Sequence, residues 1–161
     1  MHYDFYQSPI GVLYLQATTK GISSIELIDE KDIHSPQPSI TTDQGIKELK
    51  EYFEGKRKTF TVPVDISSGT DFQRAVWKKL SEIPYGSTTT YLEIAHAIHN
   101  PLSVRAVGMA NGKNPIPIIL PCHRVIGSNG SLVGYALGLD IKKKLLMHEN
   151  PVEFGEQATL F

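Results

Sequence analysis

A chain of 161 residues that is 40% hydrophobic and 20% charged, with a net charge of −1, holds enough apolar material for one ordinary core or two small ones. No apolar run approaches the ~20 residues of a membrane span, and the start Met1-His2-Tyr3-Asp4-Phe5 lacks the regions of a signal peptide, so a globular cytoplasmic protein away from membranes is expected. A single cysteine excludes an internal disulfide and a multi-cysteine zinc site, and with six scattered histidines neither a metal nor another cofactor is expected.

The first third reads as a small antiparallel meander. Tyr3 to Gln7 and Val12 to Ala17 flank a Ser-Pro-Ile-Gly turn, and Gly21 precedes Ile22 to Ile28. Residues 31–42, rich in Pro, Ser and Thr, read as a loop. Asp43 is the expected cap of a helix with Ile46, Leu49, Tyr52 and Phe53 on one face and Gly55 at its end, and Thr59 to Val64 is expected to return as a strand. Ser67-Ser68-Gly69-Thr70 is the natural linker. From Asp71 the apolar period is helical, with Phe72, Val76, Leu80 and Ile83 in register until Pro84-Tyr85-Gly86. Thr90-x-x-Glu93 is a capping box that starts a short helix ending at Asn100-Pro101, and a second helix follows over about Leu102 to Asn111. Two short helices across a tight turn form either a plain helical hairpin or a DNA-binding helix-turn-helix. Its second helix carries Arg105, Gly108 and Ala110 with few bulky groups, which permits close approach to another backbone. Gly127-Ser128-Asn129-Gly130 is a turn, and Leu139 to Glu149 a final helix.

The fold expected is therefore mixed α+β. A small antiparallel-sheet-plus-helix domain over 1–69 precedes a mostly helical domain over 70–153 and a tail over 154–161. Residues 1–70 carry 7 Lys+Arg against 10 Asp+Glu, whereas 71–149 carry 9 against 5. A basic second part fits a polyanionic partner, although such a margin also occurs on solvated surfaces.

Cys122 lies in Asn114-Pro115-Ile116-Pro117-Ile118-Ile119-Leu120-Pro121-Cys122-His123-Arg124-Val125-Ile126, apolar and framed by prolines. A thiol attacks as thiolate, and its ordinary pKa of about 8.5 means that a reactive cysteine needs a neighbouring base or positive field. His123 and Arg124 offer both. The bland alternative is a small buried hydrophobe.

The run Pro121-Cys122-His123-Arg124-Val125, preceded by Asn114-Pro115 and Arg105-Ala106-Val107-Gly108, resembles one family, the O6-alkylguanine-DNA alkyltransferases, also called methylated-DNA–protein-cysteine methyltransferases. Phe72-Gln73, Val76-Trp77, Ile83-Pro84-Tyr85-Gly86, Tyr91, Gly134-Tyr135 and His148-Glu149 belong to the same pattern, which spans about residues 70–149. The N-terminal part resembles the family only in outline; the resemblance implies a ribonuclease H-like domain there and a winged-helix-like DNA-binding domain with helix-turn-helix over 70–153.

The resemblance implies a monomeric DNA repair protein that binds duplex DNA, flips an O6-alkylguanine from the stack and moves the alkyl group irreversibly to Cys122, once per chain; O4-alkylthymine is a possible second substrate. By the same resemblance His123 takes the Cys122 proton through a bridging water, Glu149 orients His123, and Tyr91 donates to N3 of the departing guanine. Adjacent side chains on an extended backbone point apart, which favours the water over a direct bond. Arg105 fills the vacated stack, with Ala106 and Gly108 of its helix and Arg124 among the DNA or substrate contacts. Asn114 braces the pocket, Tyr135 closes it, the Cys122 and Val125 carbonyls read the exocyclic amine, and the Ala136 amide lies near O6. Two departures stand out: Leu137 replaces a glycine and is expected to narrow the pocket, and Lys143-Lys144-Leu145 lacks an aromatic common in that helix. Zinc-ligand cysteines of some relatives are absent.

Gln157, Leu160 and Phe161 resemble the Gln-x-x-Leu-Phe peptides with which bacterial DNA-processing proteins dock on the sliding clamp. Three competing readings remain at this stage. They are a non-catalytic lesion binder of the alkyltransferase-like kind, a Cys-His hydrolase or acyltransferase of small molecules, and a helix-turn-helix regulator.

Overall fold

The computed structural model describes residues 1–132 and 134–155. They form two compact units, Met1–Ser68 and a second beginning at Gly69.

In the first unit β1 (His2–Ser8), β2 (Gly11–Thr18) and β3 (Gly21–Ile28) make an antiparallel sheet in the order β1-β2-β3. The β1–β2 turn closes where Gly11 takes φ 123°, a conformation that a Cβ would disfavour. Along β2 the pleat sends Leu13, Leu15 and Ala17 into the core. Helix α1 (Ile40–Phe53) covers that face with Leu49, Tyr52 and Phe53. Gly45 makes the seat close: a Cβ there would stand 3.1 Å from both Ile22 Cδ1 and Leu15 Cδ2.

Two expectations fail in this unit. Asp43 does not cap α1. The cap is Ser39, four residues earlier, where its hydroxyl accepts from the Thr42 amide at 3.2 Å and the Thr42 hydroxyl accepts from the Ser39 amide at 2.8 Å. Residues 59–64 do not form a strand and contribute only a single bridge, Val64 to Ile22. The reason is local: the Thr61 and Val62 amides both donate to the buried Glu48 carboxylate at 2.8 and 3.0 Å, and Pro63 has no N–H.

The second unit starts with α2 (Asp71–Leu80), capped by Thr70 and Gln73 in a reciprocal box. It ends at Leu80, one turn before the expected Ile83. Trp77 on its inner face donates to the Ala110 carbonyl at 2.8 Å, and a Cβ at Gly69 would come within 2.3 Å of the Trp77 ring. Strand β4 (Thr89–Thr90) leads into α3 (Tyr91–Ala97). Thr90 caps α3, while the Glu93 carboxylate accepts from the Thr89 hydroxyl at 2.8 Å, so half of the anticipated capping box is replaced. His99, at φ 61°, turns the chain into α4 (Val104–Gly112), which packs on both α3 and α2. This pair is the helix-turn-helix. Helix α4 buries Val107, Ala110 and Asn111 and exposes Arg105, Ala106 and Met109. Strand β5 (Val125–Ile126) pairs parallel with β4, and α5 (Leu139–Glu149) and α6 (Pro151–Phe154) follow. The architecture is thus mixed α+β, with the sheet and one long helix first and a mostly helical part second. No described helix is long and apolar enough to cross a membrane.

Candidate active site around Cys122

Cys122 is placed by a stiff segment. The Asn114 side chain donates to the Leu120 carbonyl at 2.8 Å and accepts from the Ile116 amide at 3.0 Å, so one carboxamide closes the loop that delivers the cysteine. Within this loop Ile118 is 1% exposed and holds φ 75°, a left-handed conformation that is costly for a β-branched residue. Cys122 to Arg124 then form one 3-10 turn, with the Arg124 amide on the Pro121 carbonyl at 3.0 Å. The extended backbone expected at Cys122 and His123 is therefore corrected, because proline at 121 and the tight turn after it curl the chain.

The sulfur is 1% exposed. Burial pushes the thiol up to about 11, against the opposing pull of Asn114, Lys142 and Tyr135 beside it. The resting nucleophile is a thiol and needs a base. His123 is fully buried, and its Nε2 lies 2.7 Å from Glu149 Oε2. Burial also lowers the imidazole below its usual 6.5, although Glu149 opposes that shift. Burial acts to raise Glu149, yet His123 and Arg124 together hold its carboxyl well below the carboxylate range. An ionised carboxylate only accepts, so Nε2 carries the ring proton and Nδ1 is the basic nitrogen. Nδ1 is buried and has no hydrogen-bond partner among the described residues.

Arg124, expected among the DNA or substrate contacts, is engaged elsewhere. It is 5% exposed, its Nε and Nη2 donate to the two Glu149 oxygens at 2.8 and 3.1 Å, and its Nη1 donates to the Ile83 carbonyl at 2.6 Å. The guanidinium also lies 5.7 Å from the centre of the Tyr85 ring. It serves as the second clamp on Glu149.

Tyr91, half-buried at the start of α3, has its phenol pushed up by burial and by the nearby Cys122. Gly108 faces it, since a Cβ there would stand 3.9 Å from the Tyr91 ring. The Tyr135 hydroxyl is buried beside Cys122. Val125 is buried, Ala136 is exposed, and Leu137 is half-buried. Cys122, His123, Glu149, Tyr91, Asn114 and Tyr135 thus gather in one place, while Arg105 and Ala106 lie on the exposed face of α4. Gln157, Leu160 and Phe161 lie outside the described residues. No group of three His, Cys, Asp or Glu side chains suited to a metal occurs among the described residues.

Residues 71–151 match the family model described as 6-O-methylguanine DNA methyltransferase, DNA binding domain, and residues 1–66 match its ribonuclease-like domain. A methylated-DNA–protein-cysteine methyltransferase of Methanosarcina barkeri is 49% identical over 154 residues, covering 92% of this chain and 97% of that protein. The chain belongs to the methylated-DNA–protein-cysteine methyltransferase family. Among solved structures, Mycobacterium tuberculosis OGT in complex with DNA is similar at a TM-score of 0.83 and 40% identity, covering 96% of this chain and 98% of that one. An O6-methylguanine-DNA methyltransferase from Pyrococcus kodakaraensis matches at 0.68 and 25% identity.

Two site residues of this methyltransferase escaped the sequence reading. Lys142, wholly buried in α5, donates from Nζ to the Val125 carbonyl at 2.7 Å and the Gly134 carbonyl at 3.2 Å. Burial lowers its ammonium to about 8, against the opposing effect of Cys122. In sequence it is one of three consecutive lysines and resembles a solvated helix face; only its i, i+3 and i+4 relation to Leu145 and Leu146 marks it as inward. Asn111, 4% exposed, donates from Nδ2 to the Cys122 carbonyl at 3.4 Å. It reads in sequence as the polar end of a short helix.

Proposed function

We propose that this protein repairs duplex DNA by accepting the alkyl group of O6-alkylguanine on Cys122, irreversibly and once per chain. The observation that carries the reading is the buried Cys122 thiol next to an imidazole whose Nε2 is committed to Glu149 and whose Nδ1 is left basic.

The thiol proton passes toward Nδ1 of His123 through a bridging water, and the sulfur electron pair attacks the alkyl carbon. The S–C bond forms as the C–O6 bond breaks, and the bonding pair returns to the purine. The departing guanine is neutralised by a proton, so that on balance the thiol proton ends on the base; Tyr91 supports the developing charge by a hydrogen bond to N3. Glu149 and Arg124 hold His123 in register, the role of an orienting group in a nucleophile–base pair. Nothing in this sequence of steps regenerates the thiol. Arg105, with Ala106 and Gly108, is assigned to the DNA-facing helix α4, where Arg105 occupies the space of the extruded base. Asn114 braces the pocket, Tyr135 closes it, and the backbone of Val125 and Ala136 lines it.

The test is mass spectrometry of the intact protein after incubation with an O6-methylguanine duplex. The expected result is a gain of one methyl on Cys122 and none in Cys122→Ser. Product formed in excess of protein would favour the Cys-His hydrolase, and tight binding without a mass gain the lesion binder.

The finer assignments belong to the same reading: domain limits at 1–69 and 70–153, a monomer in the cytoplasm, and a tail in which Gln157, Leu160 and Phe161 dock on a bacterial sliding clamp. Deleting 157–161 is expected to abolish retention on immobilised clamp; unchanged retention removes that assignment.

A further inference from the structure

Three buried side-chain atoms among the described residues have no hydrogen-bond partner: His123 Nδ1, the Tyr135 hydroxyl and Asn111 Oδ1. All three belong to residues around Cys122. An unpaired buried polar atom costs ~1–3 kcal/mol, so native structures keep few of them, and those kept call for a reason. His123 Nδ1 has its reason in the transfer chemistry and Tyr135 borders the sulfur. Asn111 has none so far.

The orientation of the Asn111 carboxamide follows from its neighbour. Nδ2 faces the Cys122 carbonyl at 3.4 Å; the reverse orientation would set two acceptors against each other. Oδ1 is therefore the end left over, on the same small planar group and next to the nucleophilic residue. Asn111 also lies one helical turn after Gly108, the residue that faces the Tyr91 ring, so this face of α4 runs from Tyr91 to Cys122.

The remaining acceptor limits what can pair with it. When O6 of guanine carries an alkyl group, N1 has no hydrogen, and N3 and N7 are acceptors. The two hydrogens of the exocyclic 2-amino group are then the only donors on the base. O4-alkylthymine has no N–H at all, because alkylation of O4 removes the hydrogen of N3. A buried carboxamide oxygen whose amide end faces the backbone carbonyl of the nucleophilic residue is satisfied by the alkylated purine and left unsatisfied by the alkylated pyrimidine. Of the two backbone acceptors that the family resemblance implies for this amine, the Val125 carbonyl already receives the Lys142 ammonium at 2.7 Å, and the Cys122 carbonyl receives Asn111 Nδ2 at 3.4 Å.

On the alkyl-transfer reading, we infer that Asn111 is a specificity residue of the pocket, its Oδ1 accepting a hydrogen bond from the 2-amino group of the flipped O6-alkylguanine. The residue selects guanine lesions over O4-alkylthymine and over purines that lack the amine.

The test pairs a substrate deletion with a residue deletion. Single-turnover methyl transfer is measured on duplexes carrying O6-methylguanine or O6-methylhypoxanthine, which differ only in the 2-amino group, for the unmodified protein and for Asn111→Leu, a change of similar volume. The unmodified protein is expected to favour O6-methylguanine, and Asn111→Leu to reduce that preference about tenfold by slowing the guanine substrate alone. An equal slowing on both substrates, or no slowing, overturns the inference. Absence of any transfer by the unmodified protein to O6-methylguanine overturns instead the reading on which it rests. The unmodified protein is also a test by itself: equal rates on O6-methylguanine and O6-methylhypoxanthine overturn the inference.

Discussion

Glu149 answers two donors at once, receiving His123 on Oε2 and Arg124 on both oxygens, with all three side chains buried. Removing the carboxylate leaves a guanidinium buried without its counter-charge, which typically costs about 3–5 kcal/mol. Glu149→Ala is therefore expected to lower the urea midpoint by a corresponding amount and to slow methyl transfer, whereas a surface carboxylate would change neither. The same group sets the acid limb of stability. His123 and Glu149 both have folded pKa values below their ordinary 6.5 and 4.5, and the hydroxyls of Ser67 and Thr18 bring Asp65 down to about 2. In each case the unfolded chain binds the proton first as pH falls, so stability declines with acid, beginning near the histidine value and steepening below the carboxylate range. A denaturant midpoint that is flat from pH 7 to pH 4 would contradict this. That His123 and Glu149 meet next to Cys122 was legible in the sequence through the family pattern. The bonds that Arg124 makes were not legible there, because only the fold brings Ile83 and Glu149 around its guanidinium.

At the scale of elements, the start of α2 is held by chemistry that the sequence prints openly. Thr70 and Gln73 exchange side-chain and backbone bonds, and Gly69 leaves room for the Trp77 ring. Thr70→Ala is expected to cost about 1 kcal/mol. Gly69→Ala is expected to cost more, since its Cβ meets a ring that is also tied to Ala110 in α4, and near-ultraviolet dichroism of the single tryptophan should report the displacement. Gly69→Ala without loss of stability would show that Trp77 yields easily. The elements that the sequence located well, β1 to β3 and α5, carry their signal in their own residues: turn glycines at Gly11 and Gly21 between the strands, and the inward pair Leu145 and Leu146 on the helix. Residues 59–64 failed for the opposite reason: a buried carboxylate 13 residues away, at Glu48, occupies the Thr61 and Val62 amides that a strand would need, and alternation along the chain carries no trace of it.

For the molecule as a whole, the family pattern legible in sequence lay in residues 70–149, whereas the family models match residues 1–66 as well as 71–151. The loop before Cys122 links this scale to the chemistry. Ile118 keeps a left-handed backbone conformation that costs ~1–2 kcal/mol outside glycine, offset by burial of its side chain. Ile118→Ala loses the burial and keeps the strain, whereas Ile118→Gly loses the burial and relaxes the strain. The glycine variant is expected to be the more stable of the two by about 1 kcal/mol in thermal melts, the reverse of the order at ordinary positions. Catalysts that cycle must open to release product and return to a starting shape, which favours pliant hinges near the reacting atom. A protomer consumed by its only reaction has no return stroke, so its sulfur can be mounted on a taut, prestressed bracket that never has to flex twice.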